Sequence, residues 1–156
     1  AKFQPVFGTV IEASLSSSEA LNDADIVTSA TTSKEPVYDG RLLKKGVHIN
    51  SVGSYTPEMS EVDEYVVCNS RAYVDTREGV LHECGSFLKP IKNGAYDFKR
   101  VIGEIGELIL EKVPGRTSED EMTFFCSVGS AVQDVVVAKK IYDKAKALKA
   151  GTTIEL

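Results

Sequence analysis

The stretch 48-HINSVGSYTP-57 starts as apolar alternation and runs out into Gly, Ser, Thr and Pro. That pattern describes a strand over 47–53 whose carboxyl end enters a loop. The loop is either an ordinary turn or a strand end delivered to a ligand. Its neighbours in the chain decide between the two.

Before this strand, FGTVIEAS (7–14) is β-branched and reads as a first strand. SSSEALNDA (16–24) carries Ser caps and Glu19, the start of a short helix. DIVTSA (25–30) is a second strand, followed by the loop TTSKEPVYDG. After 47–53, EVDEYVVCNS (61–70) sets Val62, Tyr65 and Val66 on one helical face. AYVDT (72–76) is a strand, REGVLHECG (77–85) a helix stopping at Gly85, and FKRVIGEIGELILEKV (98–113) a longer helix. Pro114-Gly115 after it fits a type II turn. MTFFCSV (122–128) is a further strand.

The strongest helix is SAVQDVVVAKKIYDKAKALKA (130–150). Ser130 and Gln133 read as a capping box, and Asp134 and the late lysines suit the helix dipole. Val132, Val135, Val136, Ile141, Tyr142, Ala145 and Leu148 form a stripe expected to be buried. GTTIEL (151–156) reads as a short strand or tail.

Strands alternating with helices predict a mainly parallel α/β sheet with helices on both faces. Such sheets bind ligands beyond the carboxyl ends of their strands. The rule selects Ala30-Thr31-Thr32-Ser33, Val52-Gly53-Ser54-Tyr55 and Asp75-Thr76, and Ser127-Val128-Gly129, at the start of the strongest helix, is a fourth candidate. Gly53 lets a backbone approach a flat or anionic group, or serves only its turn. Thr31, Thr32 and Ser54 can hydrogen-bond a ribose, phosphate or carboxamide, or merely shape loops. Ser127 opens a helix whose free N–H groups can meet an electron-rich ligand, or is a helix-start hydroxyl. Asp75 and Glu78 bracket a helix start and read as caps.

Composition narrows the class. The 156 residues carry 18 basic and 23 acidic side chains, a net charge of -5, with no basic stripe for nucleic acid. No apolar run is long enough to span a membrane, and AKFQPVFGTV lacks a signal-peptide pattern. Cys68, Cys84 and Cys126 are widely spaced without a CxxC, and read as reduced thiols of a cytoplasmic protein. No His/Cys/carboxylate cluster has metal-ligand spacing. G-x-G-x-x-G, the P-loop, H-E-x-x-H and G-x-S-x-G are all absent.

Five ordered blocks then carry a resemblance across the whole chain: ADIVTSATTSKEPVYDG, GVHINSVGSYTPEMSEVD, YVDTREGVLHECG, GEIGELILEKVPGRTSEDE and FFCSVGSAVQDVVVAKKIYDKA. The chain resembles the ornithine cyclodeaminase/mu-crystallin family. The resemblance implies a Rossmann-like domain using NAD or NADP at the carbon–nitrogen bond of an amino or imino acid, in a homodimer. A cyclic ketimine reductase of the pyrroline-2-carboxylate type is the leading expectation. Ornithine cyclodeaminase and alanine dehydrogenase activities are alternatives, as is a non-catalytic, mu-crystallin-like binder of small molecules.

By the same resemblance Thr31 lies by the adenosine side of the cofactor, and Val52, Gly53 and Ser54 line it beside the nicotinamide. Ser127 approaches the nicotinamide end and Val128 the substrate. No catalytic residue is assigned. Cyclodeaminase members carry Asp where this chain has Tyr55, which removes the carboxylate suited to ammonia loss and favours the reductase. Cys126 stands where the family often has Lys.

The match is to the second half of the family pattern. The Gly-rich loop, the acidic ribose ligand and the substrate-binding Lys and Arg are expected upstream of Ala1. Residues 1–128 are expected to be the C-terminal part of the dinucleotide-binding domain. Residues 129–156 are then a helix and tail packing back toward a dimerisation and substrate domain. If 7–14 and 25–30 flank an absent sheet centre, a gap of about 14 Å separates them, for another chain or the N-terminal half to fill.

Overall fold

The computed structural model describes residues 4–152 and 154. Five strands form one sheet: β1 (Ile26–Ser29), β2 (His48–Ser51), β3 (Arg71–Val74), β4 (Gly103–Glu104) and β5 (Thr123–Cys126). Their order across the sheet is β1-β2-β5-β3-β4, and every pair is parallel. The helices are α1 (Gln4–Phe7), α2 (Ser17–Leu21), α3 (Glu64–Asn69), α4 (Arg77–Glu83), α5 (Gly85–Lys92), α6 (Ile105–Ile109) and α7 (Ala131–Leu148). This is a Rossmann-like α/β architecture.

Register explains the core. Ile49, Phe124 and Ala72 lie side by side, as do Ser51, Cys126 and Val74 two residues on. Period-2 alternation turns these rows to one face. There they meet Val66 and Val67 of α3, Val80 of α4 and Phe87 of α5 in a continuous buried cluster. Phe87 stacks on Phe124 with ring centroids 5.6 Å apart. The opposite face carries His48, Asn50, Tyr73 and Phe125. With Ile105 and Leu108 of α6 and Arg116 they line a cavity of about 300 Å³.

Local signals set the helix starts. Ser16 Oγ accepts from Glu19 N at 3.2 Å, Asp63 Oδ1 from Val66 N at 2.9 Å, and Thr76 Oγ1 from Gly79 N at 3.2 Å. Each satisfies an N–H that the first helical turn leaves without a partner. The helix expected over 61–70 therefore starts only after Asp63, which frees Glu61 for another task.

Four expectations are corrected. Residues 7–14 form no strand: α1 ends at Phe7 and the segment continues without regular structure. β-Propensity has no force without a neighbouring strand to pair with. No gap between 7–14 and 25–30 is therefore seen among the described residues. β1 is simply the sheet edge among the described residues, with Ile26 65% exposed. The helix expected over 98–113 breaks into a 3-10 turn (Phe98–Arg100), β4 and α6. Gly103 weakens a helix there and instead pairs with Tyr73 on the sheet.

The third correction is at Gly85, which does not end a helix but opens α5. A Cβ on Gly85 would lie 2.1 Å from Met59 O and 2.4 Å from Pro57 O, so close packing selects the glycine. The fourth is α7. Its stripe is not buried: Val132, Val135, Val136, Ile141, Tyr142 and Leu148 are 50% to 72% exposed. Its Ser130 forms no side-chain cap. Gln133 N bonds the Ser130 carbonyl instead, at 2.9 Å. Of the expected terminal strand or tail, residues 153, 155 and 156 lie outside the described residues.

Candidate functional site

Because all five strands are parallel, the carboxyl ends of β1, β2, β3 and β5 share one edge of the sheet. The turns at 30–33, 52–54, 75–76 and 127–129 meet there. These are the four places selected from sequence, and the fold brings them together. Two buried carboxylates, Glu61 and Asp75, fasten them.

Glu61 is fully buried. One carboxylate oxygen accepts a short hydrogen bond from Thr31 N. The other accepts from Ser51 Oγ at 2.7 Å and Gly53 N at 2.8 Å. A buried carboxylate is tolerated when donors surround it, and here three do. Its own N–H donates to Ser86 Oγ at 3.2 Å, which fixes Glu61 to α5. The segment between Gly53 and Glu61 folds back on itself, with Ser54 Oγ donating to Met59 O at 2.7 Å.

Asp75 is 5% exposed. Its Oδ2 accepts from Ser127 Oγ at 2.8 Å and from the N–H groups of Val128 and Gly129, both at 2.9 Å. Its Oδ1 accepts from Thr76 N at 2.7 Å. Asp75 is therefore not the expected helix cap; Thr76 takes that place. The N–H groups of Val128 and Gly129, expected to be free for a ligand, are already bonded to this carboxylate. A ligand there meets a carboxylate that already holds these two donors.

The residues expected to line the site are distributed unequally. Thr31 is exposed, and its Oγ1 accepts from Ser33 N at 3.2 Å. Val52 is 46% exposed, with its N–H held by Ser29 O at 3.0 Å. Gly53 is half-buried. A Cβ on it would lie 2.0 Å from Thr31 O and 2.5 Å from Glu61 Oε1. The glycine is thus required by the neighbouring strand-end turn, whatever binds outside. Ser54 is fully buried with its hydroxyl bonded inward, so it offers nothing to a ligand. Ser127 and Val128 are half-buried beside Asp75. Tyr55 is 53% exposed.

Cys126 is fully buried, with its Sγ 3.2 Å from that of Cys84. Hydrogen bonding to Cys84, then burial, pushes the Cys126 thiol well up and keeps it protonated. The residue standing where the family often has Lys thus faces the core instead of the crevice. All three cysteines are free thiols.

Sequence reasoning passed over Glu61 as a helical residue. The signal was available: Asp63, two residues later, is the better cap and leaves Glu61 in the loop. Asp75 was noticed but misread, because a carboxylate before a helix resembles a cap.

Residues 1–149 match the ornithine cyclodeaminase/mu-crystallin family. The Delta(1)-pyrroline-2-carboxylate reductase of Bacillus cereus is 37% identical over 153 residues, covering 97% of this chain and 47% of that protein. The structure of Thermococcus litoralis Delta(1)-pyrroline-2-carboxylate reductase in complex with NADH and L-proline superposes with a TM-score of 0.91 at 37% identity. It covers 98% of this chain and 47% of the other. An archaeal alanine dehydrogenase dimer with bound NAD gives 0.83 at 30% identity, covering 99% and 48%. The chain spans about half the length of the curated relatives it matches.

Proposed function

This chain belongs to the ornithine cyclodeaminase/mu-crystallin family, and on that premise we propose that it is the cofactor-facing part of an NAD(P)-dependent imino-acid reductase. The favoured substrate is a cyclic ketimine bearing a carboxylate, of the pyrroline-2-carboxylate type. Residues 1–128 act as part of a dinucleotide-binding domain. Residues 129–156 pack back onto a dimerisation and substrate domain, in a homodimer. The exposed stripe of α7 supports that last assignment, because apolar surface on this scale calls for a cover.

One observation carries the reading: four strand-end turns converge on one edge and are held rigid by Glu61 and Asp75. Thr31, Val52 and Gly53 suit the adenosine and nicotinamide sides of a dinucleotide, and Ser127 and Val128 the reacting end. The cofactor, when bound, supplies or accepts the hydride at the C=N carbon. The chain's part is to orient it and exclude water. No phosphate-binding glycine loop occurs in this sequence, so these residues account for one wall of the site only.

Deamination is disfavoured by the same geometry. Tyr55 stands where a carboxylate would be wanted. Glu61 and Asp75 are fully engaged by donors and have no role as free acid or base. That engagement is also the observation behind a second reading, a non-catalytic binder of small molecules. Titration with NADH and NADPH, followed by oxidation with pyrroline-2-carboxylate, separates them. The chain is assayed alone and with the complementary half of a pyrroline-2-carboxylate reductase. Imine-dependent cofactor oxidation is expected. Binding without oxidation supports the binder, and no binding in either form removes the reductase reading.

A further inference from the structure

We propose that Glu61 is a positioning residue for dinucleotide binding: its carboxylate fixes the turn after β1 to the turn after β2. The proposal rests on the assignment of those turns to the cofactor. Glu61 belongs to neither strand. It reaches in from the loop ahead of α3 and bonds Thr31 N with one oxygen, Ser51 Oγ and Gly53 N with the other. Few direct bonds join the two turns otherwise. Val52 N donates to Ser29 O at 3.0 Å at the strand ends, whereas Thr31 is otherwise exposed.

The close approach is visible from the other side. Thr31 O and N would lie only 2.0 Å and 2.4 Å from a Cβ on Gly53. Two backbones at that distance need a device that holds them, and Glu61 is that device. It is itself anchored: its N–H donates to Ser86 Oγ, and its carbonyl accepts from Val37 N at 3.0 Å. The relative position of Thr31 and Gly53 is therefore set by the core of the domain.

Glu61→Gln tests this with almost no change of volume. An amide keeps one acceptor and gains a donor. Its oxygen satisfies Ser51 and Gly53 together, which leaves the NH2 facing Thr31 N, donor against donor. The substitution thus releases the Thr31 turn while sparing the Gly53 side. The expected result is a Kd for NADH raised by about tenfold or more, the scale of one buried donor left unsatisfied. At saturating cofactor, kcat is expected to change less than about twofold. Amide exchange at Thr31 should quicken more than at Gly53.

The Kd is measured by calorimetry on the same preparation used for the unaltered chain, and folding is checked by circular dichroism. Glu61→Asp is the second variant. Its carboxylate keeps the charge but is one methylene short of spanning both turns, so weakened binding is again expected. A folded Glu61→Gln with an unchanged Kd overturns the proposal, as does a lowered kcat with Kd unmoved. If Glu61→Gln does not fold, Glu61→Asp decides by the same criteria. Failure of the underlying cofactor assignment looks different: the unaltered chain, with the complementary half supplied, then binds no dinucleotide.

Discussion

α5 and α7 are opposites. α5 starts at a glycine, contains Pro90 and spans only eight residues, from Gly85 to Lys92. By intrinsic propensity it is a poor helix. Yet Phe87 is fully buried and Gly85, Ser86 and Pro90 are buried with it. α7 runs for 18 residues with a regular apolar stripe, and none of its residues is buried. The weak helix forms because tertiary contacts hold it. The strong helix forms from local preferences and presents its stripe outward. Propensity and periodicity report whether a helix forms, not what it packs against.

The sharpest way to break this comparison is Phe87→Ala. Phe87 stacks on Phe124, and Tyr96 and Phe98 approach it at 5.6 Å and 5.8 Å. Removing the ring is expected to cost about 3–5 kcal/mol, read as a lower midpoint in urea unfolding. A loss under about 1 kcal/mol would mean that α5 is not held by the core.

A smaller effect is expected from pH. Burial pushes the hydroxyl of Tyr96, which packs on Phe87, up to about 12, and raises that of Tyr38 as well. Both are neutral in the folded chain where the unfolded chain ionises. Their contribution is complete below about pH 10 and is lost as pH rises toward 12. Stability should therefore fall over that window, and less steeply in Tyr96→Phe, where the buried hydroxyl has no hydrogen-bond partner among the described residues. An identical slope in the variant contradicts the assignment.

The smallest effect belongs to α7. In the chain assayed alone, Val135→Lys and Ile141→Lys, at positions 68% and 63% exposed, should change the unfolding free energy by no more than about 0.5 kcal/mol each. A loss above about 2 kcal/mol would contradict that exposure in the chain alone. With the complementary half supplied, onto which the stripe is proposed to pack, the same substitutions are expected to weaken the association of the two halves.

How much could be read beforehand follows the same division. β1, β2, β3 and β5 were legible because each is a β-branched or aromatic run bounded by turn residues. The crevice rule locates three of the four turns, and the start of the strongest helix marks the fourth. β4 and α5 were not legible. A two-residue strand has no periodicity, and glycine with proline reads as a turn. The segment 7–14 was over-read for the opposite reason, since its composition suits a strand that has no partner. The family resemblance supplied the expected roles of Thr31, Gly53 and Ser127. It did not show that Ser54 is turned inward or that Cys126 faces Cys84.

HINSVGSYTP contains in miniature what each level settled. The sequence by itself determined that a strand ends near Ser51 and that a glycine follows, because alternation and turn chemistry are local. Only the tertiary structure decided why that residue is glycine. Thr31, 22 positions earlier, lies where a Cβ would be, and Glu61, eight positions later, bonds both. Contacts between residues distant in sequence leave no period to read. They exist only once the parallel sheet has brought its strand ends to one edge.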